Sequence, residues 1–246
     1  MDDSVSKLDQ AAKQSEQFGD EGGIVGAFAG YRNLKRRFAS AAQRGIMIPF
    51  FQPRDGISGS TIRWQGQELI NYSGYNYLGL SGHPAVSAAA KAAIDKYGTS
   101  ASASRIVSGQ IELHGELEKR IAKFLGTEDA IVFVSGYLTN LTVISHLLSK
   151  VDAAIYDSDA HNSILCGARL SGAKTIIYPN GDWDSIDQTL SASRSEFRRG
   201  LLIGEGVYSM DGNALDLKRA VELKRRYDLL LMVDEAHSLE IGRAHV

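Results

Sequence analysis

Asp234 and His237 stand three residues apart where the apolar run Leu229-Leu230-Leu231-Met232-Val233 ends. An uninterrupted apolar run of this kind predicts a strand buried on both faces of a parallel sheet. Ligands of such sheets gather beyond the carboxyl ends of the strands. A carboxylate placed there can pair with a cationic ring nitrogen, and an imidazole three residues on can reach a neighbouring oxygen of the same ring. A strand that simply ends in a polar loop accounts for this stretch equally well.

Three earlier stretches carry comparable groups. Ser135-Gly136-Tyr137 joins a predicted strand to a predicted helix. The first amides of that helix lack intrahelical partners and, with the helix dipole, suit an anion such as phosphate. The chain has no Gly-x-Gly-x-x-Gly run and no P-loop lysine, so a dinucleotide or nucleoside triphosphate is unsupported. Asp157-Ser158-Asp159-Ala160-His161-Asn162-Ser163 follows the next strand. The His161 imidazole can stack on a planar ring or move a proton, or be an ordinary residue of a capping loop. Zinc held by His161, Asp159 and Cys166 would need a ligand spacing that is not seen. Glu205-Gly206-Val207-Tyr208-Ser209-Met210-Asp211-Gly212 offers the Ser209 hydroxyl, without the Gly-x-Ser-x-Gly pattern of a nucleophile elbow.

The elements that must position these groups alternate. Strands are predicted over residues 130–134, 153–156, 175–178, 201–203 and 229–233, and helices over 138–148, 163–170, 183–193 and 217–227. That order predicts an α/β fold with a mainly parallel sheet and helices on both faces. Further upstream, residues 1–22 read as a polar tail or linker, and residues 23–85 as an N-terminal arm with a small β-hairpin. Phe28, Tyr31, Leu34, Phe38 and Ala41 give the arm one apolar helical stripe. The apolar run 46–51 ends at Pro53, an alanine-rich helix spans 85–97, and an amphipathic helix spans 114–125. Residues 86–246 read as the large domain that carries the chemistry.

Composition narrows the partners. A net charge of −2 over 246 residues gives no electrostatic reason to expect nucleic acid or an anionic membrane. Lys35-Arg36-Arg37 reads as a solvated helix face. A lone cysteine, Cys166, forms no disulfide within the chain and suits a reducing cytoplasm. No apolar run approaches a membrane span, and Met1-Asp2-Asp3-Ser4 does not open a signal peptide.

Four loops at one sheet edge thus supply a phosphate-type site, a stacking imidazole, a hydroxyl and an acid–imidazole pair. A phosphorylated, protonatable aromatic ring would use all four. Pyridoxal phosphate (PLP) is such a molecule, and its pyridinium needs a carboxylate partner to work as an electron sink.

From about Asn71 to Ser238 the sequence resembles the α-oxoamine synthases of the fold-type-I PLP superfamily. These enzymes condense an amino acid with an acyl thioester and release carbon dioxide. The resemblance is carried by Tyr75-Asn76-Tyr77-Leu78-Gly79, Gly98-Thr99 to Ser104-Arg105, and Val107-Ser108-Gly109 with His114 and Leu117-Glu118. It continues through Ser135-Gly136-Tyr137 with Asn140, Asp159-Ala160-His161-Asn162-Ser163, Ser209-Met210-Asp211-Gly212 and Asp234-Glu235-Ala236-His237-Ser238. It implies Asp234 on the pyridine nitrogen, His237 and Ser209 near the phenolic oxygen, His161 on the ring face, and the backbone of Gly136 and Tyr137 on the phosphate. Asp234, His237 and His161 would be the catalytic set, and Tyr75 would touch substrate. The partners implied are an amino acid and a thioester on CoA or a carrier protein, in a homodimer of the full-length parent.

One departure stands out. The family's Schiff-base lysine belongs further along than Val246, and Lys150, Lys174, Lys218 and Lys224 match no such motif. The stretch from Leu239 to Val246 also fits the family poorly. These features predict an incomplete, inactive or impaired copy without the small C-terminal domain. The alternatives are a non-catalytic partner subunit of a synthase heterodimer, or an aminotransferase on the same fold.

Overall fold

The computed structural model describes residues 23–46 and 53–239. The expected tail over 1–22, most of the apolar run 46–51 and the end of the chain lie outside the described residues. The described part forms two units. One holds residues 23–46, 53–56 and 61–70, and the other holds 57–60 and 71–239.

In the first unit a single turn, α1 (Gly23–Gly26), precedes α2 (Ala29–Gln43). The apolar stripe expected along this arm is present, but α2 has no buried residue, and Phe28 and Leu34 are exposed. Strands β1 (Thr61–Trp64) and β2 (Gln67–Ile70) pair antiparallel. Gln65 and Gly66 connect them with positive φ at both positions. That is the two-residue turn whose twist matches a hairpin.

The second unit begins with α3 (Pro84–Tyr97). His83 caps it by accepting from the Ala85 amide, and Pro84 takes the first position, where no amide is needed. A π-turn at Arg105–Gly109 leads into α4 (Glu112–Leu125). Gly109 is required there, because a Cβ would fall 1.9 Å from the Ala103 carbonyl oxygen.

The rest is an alternation of α5 (Gly136–Leu147), β3 (Ala153–Asp157), α6 (Asn162–Ser171), β4 (Lys174–Tyr178), α7 (Trp183–Ser193), β5 (Gly200–Glu205), α8 (Leu217–Arg226) and β6 (Leu229–Asp234). The strands form a parallel sheet in the order β4-β3-β5-β6. Strand alternation sends Ile155, Ile176 and Leu202 to one face, against Ile186 and Leu190 of α7 and Leu223 of α8. Ala154, Tyr156, Leu201 and Ile203 go to the other face, against Ile144 of α5 and Ile164 of α6. Burial on both faces is why β3 and β5 read as continuous apolar runs. The fold is the expected doubly covered α/β sheet.

Two expectations fail in detail. Residues 130–134 form no strand and join no ladder; Ile131 is 68% and Val134 86% exposed. The backbone there is claimed by side chains instead. Glu118 Oε1 accepts from the Val132 amide at 2.9 Å, and Arg105 Nη1 donates to the Val132 carbonyl at 3.1 Å. The second failure is β6. It is not buried on both faces, because among the described strands it is one of the two sheet edges, paired only with β5. Leu230 is 45% exposed, and Leu231 to Asp234 are half-buried.

Candidate functional site

All five groups singled out in the large domain lie where helices begin or strands end, at the carboxyl edge of the parallel sheet. Asp234 is the last residue of β6. Its Oδ1 accepts from the Ala236 amide at 3.0 Å, and its Oδ2 accepts from Asn140 Nδ2 at 2.7 Å. Both donors are neutral, so the carboxylate is oriented without being neutralised.

His161 is the N-cap of α6. Its Nδ1 accepts from the Ser163 amide at 3.3 Å and lies 2.6 Å from Ser163 Oγ. The His161 amide donates to Glu205 Oε1, in the last residue of β5. The imidazole is thus held by one edge while the residue remains exposed. The Tyr137 ring meets it edge-on at 6.2 Å between centroids. A hydrogen bond with the Cys166 thiol holds the Tyr137 phenol above its ordinary range.

At the start of α5, Ser135 accepts from the Leu138 amide through its Oγ at 3.2 Å. The amides of Gly136 and Tyr137 precede that capped amide and have no acceptor within the helix. A Cβ built on Gly136 would meet nothing within 4 Å beyond its chain neighbours and its own helix, so no other element packs against the helix at that position.

His237 lies in the turn after β6. Its Nδ1 is 2.9 Å from the Tyr77 hydroxyl, and its ring meets those of Tyr77 and Tyr75 edge-on at 6.2 and 6.5 Å. Tyr75 is largely exposed beside it. Ser209 is exposed in the turn after β5, and among the described residues no hydrogen bond ties it to the other candidates.

The structure therefore joins Asp234 to His161 through Asn140 and Ser163, and His237 to the two tyrosines. Sequence reasoning gave no role to Asn140, Ser163, Glu205 or Tyr77. Asn140 carried a signal, standing one helical turn beyond Gly136, and Ser163 carried another, two residues after a histidine in a capping position. Glu205 is buried and level with Asp234 in the β5–β6 register. Burial above all, and then the Asp234 charge, raise its carboxyl above the usual range, while the His161 amide works in the opposite direction.

The donor set fits PLP. It offers an unneutralised acid for a ring nitrogen, an imidazole for a ring face and open helix amides for a phosphate. Among the described residues no group of histidines, cysteines and acids is placed to hold a metal ion.

Comparison with known proteins agrees. Residues 67–240 match the aminotransferase class I and II family. The chain is 44% identical over 187 residues to a putative 8-amino-7-oxononanoate synthase of Nostoc punctiforme, covering 76% of this chain and 48% of that protein. It is 38% identical over 192 residues to the serine palmitoyltransferase of Bacteriovorax stolpii, covering 78% and 46%. A solved serine palmitoyltransferase variant from S. paucimobilis, with bound PLP–myriocin aldimine, superimposes with a TM-score of 0.81 at 32% identity. That match covers 85% of this chain and 54% of the other. The chain spans about half the length of these relatives. It belongs to the aminotransferase class I and II family, on its PLP-dependent α-oxoamine synthase branch.

Proposed function

We propose that the carboxyl edge of the sheet holds PLP, for the decarboxylative condensation of an amino acid with an acyl thioester. The single observation that carries this reading is Asp234. It is a carboxylate at the end of a parallel strand, oriented by two neutral donors and paired with no lysine or arginine among the described residues. Bound there, the cofactor supplies an electron sink for the pair left when carbon dioxide departs.

The chain's own residues do the rest. Asp234 holds a proton on the pyridine nitrogen. His161 covers one ring face and excludes water from it. The Gly136 and Tyr137 amides bind the phosphate. His237, steadied by Tyr77, faces the phenolic oxygen together with Ser209. Tyr75 borders the amino-acid side. The exposed apolar side chains Ile106, Val107 and Val134 support the homodimer that the family resemblance implies.

The 246 residues carry no lysine in the family's Schiff-base motif. Lys150 and Lys174 lie at the amino ends of β3 and β4, away from the site. Lys174 is paired there with Glu196. Lys224 lies in the last turn of α8, which leads to the amino end of β6. Lys218 sits in the first turn of α8. Over these 246 residues the cofactor is therefore expected to be held without a covalent link.

An absorbance titration with PLP, followed by borohydride, tests both statements. Saturable binding that weakens in Asp234→Asn and His161→Ala, with no stoichiometric phosphopyridoxyl lysine, is expected. Absence of binding, or binding indifferent to both substitutions, overturns the site. A stoichiometric adduct on one lysine overturns the non-covalent reading.

A further inference from the structure

Asp234 and His161 are joined by two side chains, and the order of donors along that connection is fixed by chemistry. The Asp234 carboxylate only accepts, so the Asn140 side chain must turn its NH2 group toward it. That nitrogen has a second hydrogen, and Ser163 Oγ lies 2.9 Å away to receive it. The Ser163 hydroxyl, its oxygen already accepting, is left with its own proton to give. His161 Nδ1 is 2.6 Å from it. The Ser163 backbone amide also donates to the same nitrogen, at 3.3 Å. Two donors therefore converge on His161 Nδ1.

Both connecting residues are deeply buried, Asn140 at 5% exposure and Ser163 at 0%. Water does not compete for these bonds. The packing of α5 on α6 keeps them in register. Gly167 lies one turn after Ser163, and a Cβ on it would come within 3.0 Å of the Asn140 carbonyl oxygen. The absence of that Cβ lets the two helices approach closely enough for the side chains to meet.

We propose that Asn140 and Ser163 are positioning residues that transmit the charge of Asp234 to His161 and hold its proton on Nε2. A protonated Nδ1 would face the Ser163 amide hydrogen and break the sequence of donors. On the PLP reading above, which this inference deepens, one rigid unit then sets both the ring-nitrogen acid and the ring-face imidazole.

The test is the tautomer of His161 in the cofactor-free protein at pH 8. It is read by nitrogen NMR of histidine-labelled chain, with His161→Gln to assign the signal. The expected wild-type spectrum shows Nε2–H with an unprotonated, hydrogen-bonded Nδ1. Asn140→Ala does not touch His161, yet it is expected to move the His161 ring-nitrogen signals as Ser163→Ala does. Ser163→Ala is expected to weaken PLP binding about fivefold, as the loss of a neutral hydrogen bond would, and Asn140→Ala by more, because it also removes a donor from the Asp234 carboxylate. Ser163→Thr, which keeps the hydroxyl, is expected to restore the tautomer.

A wild-type proton on Nδ1 overturns the proposal without any variant, so poor folding of the variants does not shield it. His161 signals unchanged in a folded Asn140→Ala also overturn it. The readout separates this inference from the one beneath it. Nε2–H in a chain that does not bind PLP leaves the bridge standing and removes the function. PLP binding with a proton on Nδ1 does the reverse.

Discussion

Asp152 and Asp234 stand at opposite ends of the same parallel sheet, and their partners differ in kind. Asp152 precedes β3 at the amino end and is fully buried. Arg198 and Arg199 reach it at 3.2 and 3.4 Å, and Ser149 donates to it through its amide and its hydroxyl. Arg198 foremost holds its carboxyl well below the usual carboxylate range. At the carboxyl end, Asp157, Glu205 and Asp234 receive hydrogen bonds from the amides of Asp159, His161 and Ala236 and from the side chains of Asn180 and Asn140. No lysine or arginine among the described residues pairs with any of these three. An acid matched by cations is finished as a structural element. An acid matched by neutral donors still has a charge to offer a ligand.

The comparison breaks most visibly at Asp152. Asp152→Asn should cost roughly 2–4 kcal/mol of stability by urea unfolding, since it removes one side of a buried charge cluster. It should leave PLP affinity alone wherever the protein is folded. The sign with pH follows from the lowered pKa. The stabilisation by Asp152 is present above the ordinary aspartate range and is lost as pH falls through it toward the depressed value. The variant should therefore show a flatter acid limb. Loss of PLP binding with unchanged stability would reverse the roles of the two ends.

Asp234→Asn is the mirror experiment. We expect roughly ten- to hundredfold weaker PLP binding, the worth of a hydrogen bond to a charged group. Stability should change by no more than about 1 kcal/mol. Gly167→Ala should cost roughly 1–2 kcal/mol through crowding of α5 against α6. It should also weaken PLP binding, although no atom of residue 167 is assigned to the site.

Glu205→Gln gives the smallest effect and the most pH-dependent one. Burial raises the Glu205 carboxyl, so ionising it weakens the fold as pH rises through the ordinary glutamate range to the raised value. The amide keeps an acceptor for the His161 N–H. The variant should melt higher than wild type at pH 8 and no higher at pH 4. A lower melting point at pH 8 would mean that the charge itself is used in the fold.

Much of this was legible in the sequence, for reasons that particular residues make plain. Strands β3 to β6 and helices α5 to α8 lie within two residues of their expected bounds, because apolar runs and helical stripes alternate without interruption there. Asp234, His161 and Gly136 were legible because polar or small residues directly follow apolar runs. The ladder status of 130–134 was not legible. Its composition suits a strand, but pairing is decided by which partner is present, and here Glu118 and Arg105 take its backbone. The hydrogen bond from the Arg105 guanidinium first, and that from the Val132 amide second, lower the Glu118 carboxyl to about 2. The edge position of β6 was hidden for the same reason. Asn140 and Ser163 escaped because a hydrogen bond between residues far apart in sequence leaves no periodicity to read.

The central claim is that Asp234, met by neutral donors alone, serves to keep a ring nitrogen protonated. The nitrogen signal of ring-labelled PLP bound to the chain tests that directly. A pyridinium nitrogen in the wild type that becomes a neutral pyridine in Asp234→Asn is the result this account predicts. A neutral ring nitrogen in the wild type, or a pyridinium that survives the substitution, would contradict it.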